Sequence, residues 1–293
     1  LEKYLLPGLV ANASTLGIHW IYDHTYLKKL AKTQSLFFLI QNKARYAEAR
    51  NAYYSYPGHE KGDVTVQGKI LLWAYQALKE KPSLSQEEYS KLLYEQFRPG
   101  GTYRGYVETY AKKHVLSILA KSLGISVAEF PLMDDHLVGF MPYLACKELS
   151  LPNEKAWELA QLYTKNEDYP TYYNMFDALF EALPTLGLRE ALRSVLPLAP
   201  KHRQEALRMA LEIENADAFV DAHAGRACAI QDSVPVIFHV LSHAKSFEDG
   251  ILSNALIGGA VSDRNTLIGA ILGQVFPVPE EWSKIVRTRH PIE

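Results

Sequence analysis

The sequence predicts an all-α protein folded as one domain across residues 1–293. Three observations carry this. Apolar residues recur at helical spacing, most plainly at Ile70, Leu71, Trp73, Ala74 and Leu78. The run Ser85-Gln86-Glu87-Glu88 has the form of a capping box, a start signal for a helix. Alternating runs that would mark strands are scarce, and no Pro/Gly/Ser linker, charge block or fixed-period repeat divides the chain. Helices average about 11–12 residues, so the chain has room for roughly a dozen.

Taken in order, Tyr4 to Thr15 reads as a helix whose small residues Gly8, Ala11, Ala13 and Ser14 form a packing surface. Leu16 to Asp23 ends it in an aromatic-rich turn, and Asp23 or Thr25 is suited to cap a helix from Tyr26 to Lys32. Residues 42–62 are polar and hold Tyr53, Tyr54, Tyr56, Pro57 and Gly58, the composition of a loop. Helical period returns from Asp63 to Leu78, then from Glu87 to Phe97 and from Tyr106 to Leu123. The remainder reads as helical to about residue 275, with breaks at Pro131, Pro152, Pro170, Gly187 and Pro200. Val234 to His243 fits a strand or a buried helix equally by pattern.

The totals exclude several classes of function. The chain is 48% hydrophobic and 22% charged, ordinary for a globular protein. A net charge of −2 gives no attraction to nucleic acid or anionic membrane, so neither is expected as a partner. Two cysteines, Cys146 and Cys228, make no disulfide framework, and both read as buried, inert thiols. No stretch is apolar enough to span a bilayer, and the first residues lack signal-peptide character, so a cytoplasmic location is the expectation. Nothing specifies an oligomeric state.

The C-terminal third holds the stretch of most interest. Gly258-Gly259 precedes a short polar turn, Ser262-Asp263-Arg264, and a small-residue helix with Gly269 and Gly273 four apart. That combination makes a rigid platform, and its polar side chains are candidates for a ligand. Asp134-Asp135-His136 has the look of a metal cluster, but an Asp pair before a helix is more often a cap. Tyr53, Tyr54 and Tyr56 are suited to stack on an adenine, or equally to pack. His239 and His243 share i, i+4 spacing without the carboxylate of a helix-borne zinc motif. No Walker, dinucleotide-fold or Ser-His-Asp signature is present.

Five segments together resemble the ADP-ribosylglycohydrolase family, in its crystallin-like branch. They are Gly8 through Asp23, Gly62 through Gly68, Tyr103 through Val107, Cys228 through Pro235, and Gly258 through Gly273 followed by Pro279-Glu280-Glu281-Trp282. The resemblance covers nearly the full length and implies a single-domain orthogonal helical bundle. It also implies hydrolysis of a glycosidic bond to ADP-ribose, with two magnesium ions held by carboxylates in a cleft. This sequence departs from that pattern at its ligands. The family's aspartates fall on Asn12, Lys69, Ala260 and Ser262, and its glutamate after the first helix falls on His19. An ammonium inside such a site repels a dication: two unit charges at ~4 Å interact by about 4 kcal/mol at an effective dielectric near 20.

The expectation is therefore a family-like protein without the metal pair, with no cofactor and no metal ligands, that keeps a cleft for an ADP-ribose-like or other small ligand. Magnesium returns as the cofactor only if the metal pair is retained. Asn12, His19, Thr65, Lys69, Tyr106, Ser262, Asp263 and Arg264 are the ligand-binding candidates, with Asp134, Asp135 and His136 near them. Two other readings stand beside it. One is an active hydrolase of an N- or O-glycosidic bond with Asp63 or Asp263 as general base. The other is a structural, crystallin-like role.

Overall fold

The computed structural model describes residues 3–126 and 136–287. Within them lie sixteen α-helices: α1 (Leu5–Thr15), α2 (His24–Ala31), α3 (Lys43–Glu48), α4 (Val66–Glu80), α5 (Gln86–Phe97), α6 (Thr109–Ser122), α7 (Phe140–Glu148), α8 (Asn153–Ala160), α9 (Asp168–Leu186), α10 (Leu188–Val195), α11 (Gln204–Glu212), α12 (Ala216–His223), α13 (Ile230–His243), α14 (Phe247–Ile257), α15 (Val261–Leu272) and α16 (Glu280–Ile285). Among the described residues there is no β-strand, only isolated bridges from Ile21 to Ala52 and Gly259. The all-α expectation holds. The helix count exceeds a dozen because α2, α3, α8, α10, α12 and α16 run only six to eight residues.

Local chemistry accounts for the boundaries. Ser85 accepts from the Glu88 N–H and Glu88 reaches back to the Ser85 N–H, completing the capping box of α5. Asp23 caps α2 through the Tyr26 N–H at 2.9 Å, and Thr65 caps α4. Pro170 does not break a helix. It is the third residue of α9, in the first turn, where a missing N–H costs nothing. Gly187 does break one, with φ of 71° between α9 and α10. Val234 to His243 is helical, the bulk of α13, and it is buried against α11 and α15. The loop expected over 42–62 contains one short helix, α3, capped by Asn42. Pro131, Asp134 and Asp135 lie outside the described residues.

The innermost pair of helices is α1 and α15. Both are buried along almost their whole length, and they are nearly antagonists of ordinary amphipathic design: α15 exposes no face at all. Small residues make the approach possible. A Cβ on Gly269 would stand 2.5 Å from Ala11 Cβ and 2.6 Å from the Pro7 carbonyl oxygen. An apolar core then continues outward through α4, α7, α9 and α13. The polar residues of α1 and α15 are thus enclosed by apolar layers and must satisfy one another.

Candidate functional site

Backbone geometry at the head of α15 sets the site. Gly258 and Gly259 have φ of 84° and 77°. The Trp20 N–H donates to the Gly259 carbonyl at 2.8 Å, and the Gly259 N–H donates to the Ile21 carbonyl at 2.7 Å. This reciprocal pair ties the C-terminal turn to the segment after α1. Trp20 itself has φ of 64°, a left-handed conformation that a bulky residue keeps only when its surroundings hold it.

Five of the expected residues converge here. Thr65 Oγ1 donates to Asp263 Oδ1 at 2.9 Å. His19 accepts the Ser262 N–H at Nδ1, 3.2 Å, so its proton sits on Nε2, which lies 3.5 Å from Asp263 Oδ2. Ser262 Oγ pairs with Thr15 Oγ1 at 3.1 Å. Asn12 is fully engaged as well. Its Oδ1 accepts the Thr65 N–H, and its Nδ2 donates to Thr65, Thr266 and the Ser262 carbonyl.

Three expected residues go elsewhere. Arg264 is completely buried and closes the Gly-Gly turn: Nε donates to Asn254 Oδ1 at 2.7 Å, Nη1 to the Arg226 carbonyl at 3.3 Å, and Nη2 to the Gly258 carbonyl. Every face of the guanidinium that is placed by these bonds points at the protein's own acceptors rather than at a cavity. Asp63 and Lys69 line a separate outer cavity of about 880 Å³, together with Tyr56, Trp73, Tyr103 and Arg104. There Asp63 accepts the Glu60 N–H at 2.7 Å, and its charge acts on Lys69, whose pKa burial lowers. Asp63 and Asp263, the two catalytic candidates, are therefore not brought to one site. His239 and His243 spend their Nδ1 atoms on the carbonyls of Ala210 and His239.

An inner cavity of about 460 Å³ opens beside the convergent cluster. Trp20, Tyr22, Tyr53, Tyr54 and Cys228 wall it, and Tyr106 and Ser55 border both cavities. Trp20 meets Tyr106 edge-on at 5.2 Å and lies over His19 at 4.7 Å. Cys228 is thus a wall residue of the cavity in the turn before α13, and burial pushes its thiol up to about 12.

Glu108, unforeseen from the sequence, lies on the floor of the inner cavity. It is the residue before α6, where a side chain would ordinarily cap the helix, yet it makes no capping bond. The carboxyl is 1% exposed; neither oxygen makes a hydrogen bond of good geometry, although the Tyr110 hydroxyl and the Gln67 side chain lie close enough to pull its pKa down against burial. His136 Nδ1 is 3.6 Å from Oε2. Hydrogen-bond geometry is likewise unmet at Trp20 Nε1, Gln67 Oε1 and Tyr110 Oη, and at Asp263 Oδ2 and His19 Nε2, which face each other at 3.5 Å. A Glu after an aromatic turn carries no sequence signal of this kind. Gln67 falls in a segment the family resemblance covers, but nothing local marks its amide as facing a cavity.

Burial dominates the electrostatics. It raises Asp263 to about 7, against the pull of the Thr65 hydroxyl and the Arg264 charge. It raises Glu108 well above the usual carboxylate range, and the Asp263 charge adds to the effect. It lowers His19 to about 3, helped by Arg264, so the imidazole is neutral at physiological pH. The folded pKa of His19 is below its unfolded value of 6.5. Its contribution to stability is complete above that value and is lost as pH falls toward the folded value. By NMR, the His19 Cε1–H shift is expected to stay flat between about pH 8 and pH 5, where a solvated histidine titrates. A midpoint near the solvated value would contradict the enclosed, neutral imidazole.

No family model and no curated protein matches the sequence. Among solved structures, one described as an ADP-ribosylglycohydrolase-related protein complex superposes with a TM-score of 0.64 at 12% identity, covering 97% of this chain and 91% of that chain. The chain has the helical fold of the ADP-ribosylglycohydrolases. No helix among the described residues is long and apolar enough to cross a membrane.

Proposed function

We propose that the protein binds an ADP-ribose-like small molecule at the inner cavity, and that it does so without the paired magnesium of ADP-ribosylglycohydrolases. The observation that carries the reading is an aromatic-walled cavity lined by two residues with buried polar atoms that make no hydrogen bond of good geometry, the Glu108 carboxyl and Trp20 Nε1. Each such atom costs about 1–3 kcal/mol if nothing bonds it, so a group of them facing a cavity suits a polyhydroxylated ligand. Tyr22, Tyr53, Tyr54 and Tyr106 supply aromatic faces around it.

The residues at the resemblance-derived metal positions do not fit a dinuclear magnesium centre. Magnesium requires hard oxygen donors in near-octahedral array. Asn12 and Ser262 are committed to a neutral hydrogen-bond network, Ala260 is a methyl group, and Lys69 lines the other cavity. Asp263 is left as the one carboxylate of that turn.

The test is thermal unfolding with ADP-ribose in EDTA and again in magnesium. Binding to the native state alone stabilises by about 2.7 kcal/mol at a hundredfold excess over Kd. A rise in Tm of several degrees in EDTA, unchanged by magnesium, is the expected result. A rise only with magnesium would restore the metal site. No rise in either buffer would favour a purely structural role.

A further inference from the structure

We propose that the outer cavity binds a free aromatic α-amino acid as its zwitterion, with Lys69 holding the carboxylate, Asp63 the ammonium, and the rings of Trp73 and Tyr103 the side chain. This site is separate from the inner cavity, although Tyr106 and Ser55 border both, and its ligand does not depend on the ADP-ribose reading.

Lys69 serves the fold poorly. It is the fourth residue of α4, close to the positive end of the helix dipole, where a cation is disfavoured and a carboxylate is stabilising. Its side chain is half-buried at the cavity wall. Burial lowers its pKa, the Asp63 charge opposes that, and the Arg287 charge adds to it. Among the described residues Lys69 makes no side-chain hydrogen bond and no ion pair. An ammonium so placed lacks an anion, and the open side of it is the cavity.

Asp63 shares that wall in the complementary state. Its Oδ2 accepts the Glu60 N–H at 2.7 Å, and among the described residues its Oδ1 accepts no hydrogen bond. The Asp63 charge acts on Lys69, yet no ion pair joins the two. Two opposite charges thus face one cavity without neutralising each other by contact. A simple anion drawn to Lys69 would meet Asp63, and a simple cation drawn to Asp63 would meet Lys69. A ligand carrying both charges satisfies both groups.

The other lining groups narrow the class. His59 Nε2 accepts the Gln41 N–H at 2.7 Å, so its proton sits on Nδ1, 3.2 Å from the Glu60 carbonyl, and both nitrogens are engaged. Arg104 is exposed, with Nη1 on the Gly101 carbonyl at 2.9 Å, and adds to the pull on a carboxylate. Trp73 and Tyr103 meet edge-on at 5.8 Å. The Tyr103 hydroxyl donates to the Tyr106 carbonyl at 3.1 Å, and the Tyr56 hydroxyl accepts the Val66 N–H at 3.1 Å. These rings are therefore fixed, and what they leave for a ligand is chiefly flat apolar surface, suited to an aromatic side chain. A cavity of about 880 Å³ has room for such a ligand.

The test is an NMR titration of the full chain with L-phenylalanine and L-tryptophan. At least one should bind with Kd below about 1 mM. Its amide, which lacks the carboxylate, and its N-acetyl derivative, which lacks the ammonium, should each bind at least ~10-fold more weakly. Lys69→Met should weaken the amino acid at least ~10-fold and erase its advantage over the amide while keeping its advantage over the N-acetyl form, and Asp63→Asn should do the reverse. No binding of either amino acid at ~10 mM overturns the proposal. So does an amide or an N-acetyl derivative that binds wild type as tightly as the amino acid. A Lys69→Met protein that keeps the full advantage over the amide places the ligand elsewhere and overturns it too. The two derivatives probe both charges on wild type, so a variant that does not fold leaves the result decided by them.

Discussion

Gly259→Ala is expected to cost more than about 4 kcal/mol, among the largest losses a single methyl group can cause. Two effects add. At φ of 77° an L-residue is strained by roughly 1–2 kcal/mol. The new Cβ would also stand 1.9 Å from the Arg226 carbonyl oxygen, a backbone atom that cannot swing aside. Moving it disturbs the bonds that Ala260 N and Arg264 make to that same carbonyl, and through Gly259 the pairing with Trp20 and Ile21. A fall in Tm of roughly 8 °C or more should follow, at about 2 °C per kcal/mol for a chain of this size. Gly58→Ala is the matched control. Gly58 has φ of 76°, but nothing lies within 4 Å of its would-be Cβ, so only the strain applies. Equal losses from the two substitutions would mean that the clash is absorbed and that the turn is softer than its geometry implies.

Arg264→Met is expected to cost about 3–5 kcal/mol, read as the urea midpoint at constant m-value. Methionine replaces much of the stem but leaves Asn254 Oδ1, the Gly258 carbonyl and one lone pair of the Arg226 carbonyl without their donor. Arg264→Lys should recover less than half of the loss, because a single ammonium cannot span acceptors that a planar fork reaches. The pair separates two roles for this residue. If Arg264 instead faced a ligand, the lysine variant would fold normally and lose only ADP-ribose binding.

The helices were legible because their signals are short-range. The capping box at Ser85 and Glu88 and the apolar spacing of α4 act within a few residues; the first appears where the pattern places it, α4 begins three residues later than its pattern, and of the two candidates Asp23 and Thr25 it is Asp23 that caps α2. Pattern failed where a residue type has two uses. Pro170 opens α9 rather than ending a helix, and the apolar run from Val234 is a buried helix that periodicity alone does not separate from a strand.

The candidate site divided along the same line. His19, Thr65, Ser262 and Asp263 are drawn together, while Asp63, only two residues before Thr65, lines a different cavity. Capping of α4 by Thr65 turns the chain between them, and nothing in a polar run announces which side chain will face inward. Arg264 looked free beside Asp263 until the fold supplied an acceptor for each of its three nitrogens: the Asn254 side-chain oxygen and the carbonyls of Arg226 and Gly258. Glu108 carried no signal at all, since a glutamate at a helix start is ordinary and its burial comes from α6 being laid against Tyr106, Gln67 and His136.

The sequence by itself determined the helical class, several of the helix starts in the first half of the chain, and the small-residue packing faces of α1 and α15, because these follow from local propensity and from the space a side chain occupies. Only the tertiary structure decided which polar groups share a site. The bond from Thr65 to Asp263 spans 198 residues. Partners at that separation meet through packing of the whole core, and the same packing withdraws them from water and so sets which carboxyls keep their protons.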